Sequence, residues 1–204
     1  YITCEMAEEK IAERIDANLL DTNIQTLSDP LFSRQKYQNK IDVLNQKTQG
    51  KLIIKEYPTA SANANHFKSL LNELSLKKGF KPHIIFVDYL NICASSRYKG
   101  NIVNSYTYVK SIAEELRGLA GEFNVPIVSA TQTTRSGYGN SDVELTDTSE
   151  SFGLPATADI MFALISTEEM ENLNQIMVKQ LKNRYNDPTI CLLYTSPSPR
   201  DSNL

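Results

Sequence analysis

Residues 83–92 read HIIFVDYLNI, and within them four apolar residues, 84–87, lead directly into Asp88. A short apolar run of this kind predicts a buried strand. A carboxylate at the end of a buried strand is costly unless another group pairs with it. The same pattern holds Mg²⁺ in P-loop NTPases, where the carboxylate reaches the metal. An aspartate here can equally cap the following helix, so both interpretations of Asp88 are open at this point.

Apolar stretches typical of strands alternate along the chain with amphipathic stretches typical of helices. We predict strands at 51–57, 83–88, 125–132, 158–166 and 175–184, together with a first strand that ends at Thr3. We predict helices from Ala7 to Leu19, near 33–48, from Asn63 or Asn65 to Gly79, and near 104–122. Because the strand runs are continuously apolar, the pattern favours an α/β fold with a mostly parallel sheet and helices on both faces.

The composition fits one globular domain, with 204 residues, 41% of them hydrophobic and 22% charged. A net charge of −3 excludes a strongly basic nucleic-acid-binding protein, although a local basic loop could still bind DNA. Two histidines exclude a multi-histidine metal site, and three scattered cysteines argue against a disulfide framework and fit a reducing cytosol. No apolar run approaches the roughly 18 residues of a membrane span.

Two more polar residues follow predicted strands, and we expect them to meet Asp88 at one edge of the sheet. Glu5 comes just after the first strand, and Gln132 closes the strand 125–132. A carboxylate there can deprotonate an attacking water, and an amide there can donate to a γ-phosphate. Taken singly, Glu5 is better explained by the helix dipole, and Gln132 by a plain loop. Their convergence with Asp88 favours a functional site, because ligands of open α/β sheets bind at the carboxyl ends of strands.

The sequence lacks the glycine-rich phosphate loop G-x-x-x-x-G-K-[ST] that a P-loop NTPase requires. In such folds that loop precedes the glutamate-bearing strand, and this chain starts at that strand. We therefore expect the sequence to be a fragment, truncated at both ends, that has no ATPase activity by itself.

Five motifs, in order, resemble those of DnaB-type replicative DNA helicases. They are YITCEMAEEKIAERIDAN (1–18), IIFVDYLNI (84–92), SATQ (129–132), SESFGLPATADIMFAL (149–164) and LKNRYND (181–187). Residues 57–80, YPTASANANHFKSLLNELSLKKGF, resemble a stretch peculiar to the helicases of T-even-type tailed phages. The resemblance spans residues 1–190 and implies a partial RecA-like P-loop NTPase motor domain.

What the family implies is a hexameric ring around single-stranded DNA, with ATP and Mg²⁺ between subunits. By position, Glu5 would be the catalytic base, Asp88 the Mg²⁺ ligand and Gln132 the γ-phosphate sensor. Lys182 and Arg184 are two residues apart, hence on one face of a strand, and would act on ATP held by the neighbouring subunit. Without the other motifs, a solvated pair on an edge strand would be the favoured explanation of these two residues. The resemblance also implies primase and a helicase loader as partners and, for a phage-encoded protein, the host cytoplasm as location.

Two polar loops follow predicted strands, at 94–105 and 133–150. The resemblance places them at the central channel, where Arg97, Lys99 and Arg135 are the cations that could bind DNA phosphates in a salt-sensitive way. Each of the three is also compatible with an ordinary solvated loop.

Two other functions remain open from the sequence. A RecA-type recombination ATPase shares the glutamate, the apolar strand that ends in aspartate and the glutamine, but not the K-x-R strand after an Ala-Asp strand. A non-catalytic, helicase-derived loader or scaffold would need none of the site residues. A phosphate loop upstream of Tyr1 in the complete gene would separate the motor from the binding module.

Residues 191–204, CLLYTSPSPRDSNL, do not continue the pattern of the preceding chain. Proline, serine and polar residues replace the apolar periodicity, which is typical of a disordered terminus. The first eleven of these residues resemble the translation of a transposase adapter used in sequencing libraries. We therefore expect residues 191–204 to lie outside the domain formed by residues 1–190.

Overall fold

The larger of the two sheets formed by the described residues of the computed structural model has four parallel strands. They are β1 (Ile2–Thr3), β2 (Lys55–Glu56), β3 (Ile85–Asp88) and β4 (Ile127–Ser129). Their spatial order is β2-β1-β3-β4, so β1 and β3 are central. The structure describes residues 1–28, 34–48, 50–98, 104–133, 153–186 and 194–197. The predicted α/β fold with a mostly parallel sheet is confirmed.

Helices connect these strands and flank them. They are α1 (Glu8–Leu19), α2 (Ile24–Ser28), α3 (Arg34–Lys47), α4 (Ala64–Lys78), α5 (Ser105–Phe123), α6 (Gly153–Thr157) and α7 (Glu168–Asn172). The four longer helices occupy the predicted stretches, whereas α2, α6 and α7 have five residues each, too few to reveal a helical period. Within the described residues, no helix has both the length and the apolar character needed to cross a membrane.

Local side-chain chemistry fixes where α4 begins and ends. The Asn63 side chain accepts hydrogen bonds from the backbone N–H groups of Asn65 (3.0 Å) and His66 (3.4 Å), and His66 Nδ1 accepts from the Asn63 N–H. This reciprocal arrangement is a capping box. Gly79 ends the helix with φ +60°, a conformation that glycine adopts without steric cost.

One face of the parallel sheet carries the main hydrophobic core. Ile85 and Val87 of β3 are buried on this face, beneath Phe67 of α4 and Ile112 of α5. In the order β2-β1-β3-β4, the crossover from β1 to β2 runs toward one edge of the sheet. The crossovers from β2 to β3 and from β3 to β4 run toward the other edge. Because parallel crossovers are right-handed, α1 therefore lies on the opposite face from α4 and α5. Helices on both faces were predicted, but Phe86 of β3 is still 38% exposed on the α1 side.

The predicted strands at 158–166 and 175–184 do not join the parallel sheet. They form β5 (Ile160–Ile165) and β6 (Gln175–Asn183), which pair antiparallel in a separate three-stranded sheet. Residues 166–174 connect them, and this is shorter than the dozen or so residues that a parallel crossover needs. The continuous burial expected of β5 is also wrong, because Leu164 is 70% exposed while Ile165 is buried.

The third strand of this sheet lies within residues 191–204, which were predicted to lie outside the domain. It is β7 (Tyr194–Pro197), whose backbone pairs antiparallel with β6, from Gln175 opposite Pro197 to Val178 opposite Tyr194. An open strand edge is a template for any extended segment, which gives a physical reason for the pairing. The assignment of residues 191–204 to a region outside the domain stays a prediction.

The cap of α4 yields a stability prediction. Asn63→Ala removes the side-chain acceptor at the start of the helix, so the free energy of unfolding should fall by about 1 kcal/mol. Asn72→Ala is the matched control, because Asn72 is exposed in the same helix and alanine is the better helix former there. Thermal unfolding of both variants checks this, and an equal midpoint for the two would contradict the role of the cap.

Candidate functional site

Three of the predicted site residues lie at the same edge of the parallel sheet. β1, β3 and β4 are adjacent and parallel, with Thr3 opposite Asp88 and Val87 opposite Ser129. Asp88 is the last residue of β3, Glu5 follows β1, and Gln132 follows β4. The expected convergence of the three at the carboxyl ends of neighbouring strands is what the fold produces, although their chemical roles remain predictions.

The partner of the Asp88 carboxylate is the hydroxyl of Tyr1. Tyr1 Oη donates to Asp88 Oδ2 over 2.7 Å, and the Tyr1 ring stacks on Phe86 with centroids 6.2 Å apart. Burial, and then this bond to Asp88, raise the pKa of Tyr1 well above its usual range, so the hydroxyl stays a donor at neutral pH. The sequence pattern did not reveal Tyr1, because register places it near Asp88 while 87 positions separate them.

Glu5 is held at the sheet edge by the turn around it rather than by its own side chain. The buried Thr3 hydroxyl donates to the Met6 carbonyl (2.8 Å) and accepts from the Met6 N–H (3.0 Å). These bonds fix the turn that carries Glu5. The Glu5 side chain is exposed, and it has no hydrogen-bond or ion-pair partner among the residues that the structure describes. A positioned, unpaired carboxylate of this kind is available to accept a proton.

Gln132 is tied to the segment that follows β3. Its Nε2 donates to the Tyr89 hydroxyl over 3.1 Å. The preceding residue supports this contact, because Thr131 Oγ1 donates to Asn91 Oδ1 over 2.8 Å. The Leu90 N–H also donates to the carbonyl of residue 130, so the chain after β4 follows the 3-10 turn at Leu90–Ile92. The Gln132 amide therefore lies beside the residues that extend from Asp88.

Two buried thiols lie beneath this edge. Cys4 directly precedes Glu5, and Cys93 directly follows the 3-10 turn after β3. Cys93 Sγ donates to the Tyr89 carbonyl over 3.6 Å. The interaction between the two thiols lowers the pKa of Cys4 and, with burial, raises that of Cys93. Both are free cysteines and belong to the same buried cluster as β1 and β3.

Lys182 and Arg184 lie elsewhere, at the end of β6, and both contact the segment 155–159 of their own chain. Lys182 Nζ donates to the carbonyl of Pro155, and Arg184 Nη1 binds Asp159 Oδ1 at 2.6 Å. Arg184 Nη2 also donates to the carbonyl of residue 156 (3.1 Å). The prediction that the two side chains share a face is consistent with these contacts. Arg184 was expected to find its partner in another subunit, and in the single chain its partner is Asp159.

Two further residues complete this group, which we call the β6 cation cluster (Arg117, Asp159, Lys182 and Arg184). Arg117 of α5 donates from Nη1 to the carbonyl of Thr157 (2.6 Å) and lies 2.8 Å from Asp159 Oδ2. Burial, followed by the nearby Arg184, lowers the pKa of Lys182. No role was predicted from the sequence for Arg117, which belongs to no motif, or for Asp159, although Asp159 lies within the motif at 149–164.

The strand-edge residues and the β6 cation cluster form two separate groups. No hydrogen bond or ion pair in the described part of the chain joins Glu5, Asp88 or Gln132 to Lys182 or Arg184. One subunit therefore does not bring the predicted base and the predicted cations together by direct contact.

Of the three loop cations, only Arg97 falls within the described residues, and its charge is already paired. Arg97 Nη1 lies 2.5 Å from Glu114 Oε2, and this bond raises the pKa of Arg97. The neighbouring Glu115 accepts hydrogen bonds from Ser95 Oγ and the Ser96 N–H, which anchors the start of the loop. Lys99 and Arg135 lie outside the described residues.

The chain matches the family described as the DnaB-like helicase C terminal domain over residues 1–192. The DnaB-like replicative helicase of Enterobacteria phage T4 is 51% identical over 188 residues, covering 92% of this chain and 40% of that protein. A probable plasmid replicative DNA helicase of Chlamydia psittaci is 29% identical over 192 residues, covering 91% of this chain and 40% of its own length. The chain thus spans about 40% of these curated relatives.

Solved structures agree on the fold. One of them, described as an ATPase domain, superposes with a TM-score of 0.73 and 20% identity, covering 95% of this chain and 68% of that one. A DnaB-like replicative helicase, studied with its interactions with primase, has the same TM-score with 19% identity, covering 95% and 46%. The RecA-type recombination alternative is not favoured by the match to the DnaB-like family and its helicase relatives. The chain belongs to the DnaB-like helicase family and carries its C-terminal domain, as the five motifs predicted.

Proposed function

We propose that this segment is part of the ATP-hydrolysing motor of a replicative DNA helicase that translocates on single-stranded DNA as a ring of six copies. The observation that carries the proposal is the meeting of Glu5, Asp88 and Gln132 at one sheet edge, in a chain of the DnaB-like family. A carboxylate base, a metal-binding carboxylate and an amide donor are the side chains that ATP hydrolysis requires.

Glu5 is the proposed general base. Its exposed carboxylate is unpaired within the described chain, so it can take a proton from a water that attacks the γ-phosphate. The proton passes to a Glu5 oxygen as the water oxygen bonds to phosphorus and the bond to ADP breaks. Gln132 is the proposed γ-phosphate sensor, because its amide lies beside the residues that follow Asp88.

Asp88 fits a role as Mg²⁺ ligand. Tyr1 occupies its Oδ2, which leaves Oδ1 as an oxygen donor of the type that Mg²⁺ prefers. No group of three or more metal-binding side chains occurs within the described residues. That suits Mg²⁺, which is usually held by one or two carboxylates and the substrate phosphates. When bound, the ion neutralises charge on the β- and γ-phosphate oxygens.

Lys182 and Arg184 are proposed to act on the ATP held by the neighbouring subunit. They do not contact the strand-edge residues of their own chain, whereas a cation supplied from a neighbour stabilises transition-state charge. Arg184 keeps three of its five N–H donors without an acceptor among the described residues. The planar Arg184 guanidinium can therefore keep its contacts within its own subunit and still donate hydrogen bonds to a phosphate.

The remaining proposals concern partners. Single-stranded DNA is proposed to pass the two polar loops, with Lys99 and Arg135 as its main cations, since Glu114 already pairs with Arg97. Primase is a proposed protein partner, because one structural relative is described with its interactions with primase. A helicase loader is a second proposed partner, on the resemblance to DnaB-type helicases alone. The proposed location is the cytoplasm, that of the host cell for a phage-encoded protein.

The base assignment predicts the effect of Glu5→Gln in the full-length protein. Glutamine stays polar but cannot take the proton, so ATP turnover should fall by about 10²–10⁴-fold while ATP binding persists. Steady-state hydrolysis and binding of a fluorescent ATP analogue measure the two effects. Glu9→Gln, an exposed position on α1, is the matched control and should retain full turnover. Full turnover in Glu5→Gln would refute the assignment.

The trans assignment predicts that Arg184→Ala leaves ATP bound but slows hydrolysis by about 10³–10⁵-fold, as loss of an arginine finger does. Arg34→Ala, at an exposed position in α3, is the control and should have no effect.

A mixing experiment separates trans from cis action. Arg184→Ala chains with a working phosphate loop are mixed with chains whose phosphate loop is inactivated but whose Arg184 is intact. Mixed rings should regain ATPase activity at borders that pair the two working elements. Mixed rings that form and stay inactive would mean that Arg184 does not act between subunits.

A further inference from the structure

We propose that Asp159 is a positioning residue that holds the Arg184 guanidinium in the orientation from which it reaches the neighbouring subunit's nucleotide. The inference rests on the proposed role of Arg184 in trans and adds to it a residue to which no role has been assigned. It concerns geometry within one chain, before any neighbour is present.

Asp159 contacts Arg184 through both backbone and side chain. Asp159 immediately precedes β5 and Arg184 immediately follows β6, and the Arg184 N–H donates to the Asp159 carbonyl over 2.9 Å. The side chains meet with Arg184 Nη1 2.6 Å from Asp159 Oδ1. A second bond runs from Arg184 Nη2 to the carbonyl of residue 156 (3.1 Å). Because a guanidinium is planar, two bonds from its two terminal nitrogens fix its orientation.

The Arg184 guanidinium is held in place and still has N–H donors for a further ligand. Its side chain is 41% exposed, and its other N–H groups have no acceptor in the part of the chain that the structure describes. A phosphate oxygen that approaches from outside can therefore bind Arg184 while Asp159 still holds it. A long, flexible arginine without such a partner would have to be ordered at the moment of reaction.

Asp159 is itself anchored to the core. Its other oxygen, Oδ2, lies 2.8 Å from Nη1 of Arg117, which also binds the carbonyl of Thr157. Arg117 belongs to α5, the helix whose buried face packs on the parallel sheet. A continuous set of contacts thus runs from the core through Arg117 and Asp159 to Arg184.

The excess positive charge of the β6 cation cluster also favours a role in binding an anion. One carboxylate, Asp159, faces Arg117, Lys182 and Arg184, so the cluster carries more positive than negative charge. Burial and the neighbouring Arg184 already lower the pKa of Lys182. An arriving phosphate would relieve this repulsion, as expected if Asp159 arranges cations for an anion rather than merely neutralising them.

The first test compares kcat and KM for ATP in the full-length protein with single-stranded DNA. Asp159→Asn keeps the shape but loses the charge, and displacement of the guanidinium should lower kcat by about 10²-fold with little change in KM. Asp21→Asn, an exposed aspartate after α1, is the matched control and should keep full kcat. Partly exposed ion pairs contribute little to folding, so rings should still assemble.

A double-mutant cycle separates the inference from the function on which it rests. If Asp159 acts through Arg184, Asp159→Asn should cause no further loss in an Arg184→Ala background. Losses that multiply would overturn the positioning role while leaving the finger intact. Full kcat in Arg184→Ala alone would instead overturn the proposed function.

Subunit mixing gives a readout that a merely structural role would not change. Asp159→Asn chains mixed with phosphate-loop-inactive chains should regain ATPase activity as Arg184→Ala chains do, because both defects lie at the neighbour's site. Inactive mixed rings would contradict the inference.

If Asp159→Asn rings fail to assemble, the Asp159→Glu variant takes the place of Asp159→Asn, because it keeps the charge and displaces the guanidinium. Its kcat should then be reduced and restored by mixing, and a wild-type kcat would overturn the proposal.

Discussion

The pairing of β1 with β3 is the contact on which the proposed site depends. It places Thr3 opposite Asp88, and the Cys4 N–H donates to the Asp88 carbonyl over 2.8 Å. A shift of β3 by one residue in this register would turn Asp88 to the other face and separate it from Tyr1 and Glu5. The buried Cys4 and Cys93 thiols and the Thr3 turn then fix the segments just after the two strands. Backbone pairing therefore determines the geometry of the strand edge, and the side-chain contacts stabilise it.

Much of this edge could be predicted from the sequence, because strand ends are visible as apolar runs that stop at polar residues. Glu5, Asp88 and Gln132 were located in this way, and parallel pairing brings such ends together. The Tyr1 hydroxyl on Asp88 and the contact between Arg117 and Asp159 could not be predicted, because they join distant positions with no shared pattern. The antiparallel pairing of β5 with β6 was missed as well, although the short connection at 166–174 contained the necessary information.

The separation of the two polar groups explains how a ring could couple its sites. Within the described residues, one subunit carries the unpaired Glu5 carboxylate at its strand edge and the Arg184 guanidinium, bound to Asp159, at the end of β6, without direct contact between them. If each guanidinium serves the neighbour's nucleotide, hydrolysis at one border depends on the position of the second sheet in the next subunit. Arg117 and Asp159 then link that position to α5 and, through it, to the parallel sheet.

The most direct test of this account is a structure of the full-length protein with Mg²⁺, ADP, an aluminium fluoride transition-state mimic and single-stranded DNA. The account predicts the mimic at the β1–β3–β4 edge, with the Glu5 carboxylate about 3 Å from the water in line with the fluoride. It further predicts that Arg184 of the adjacent subunit binds the fluoride while still contacting its own Asp159. A nucleotide bound away from this edge, or an Arg184 that contacts only the nucleotide of its own subunit, would contradict the account.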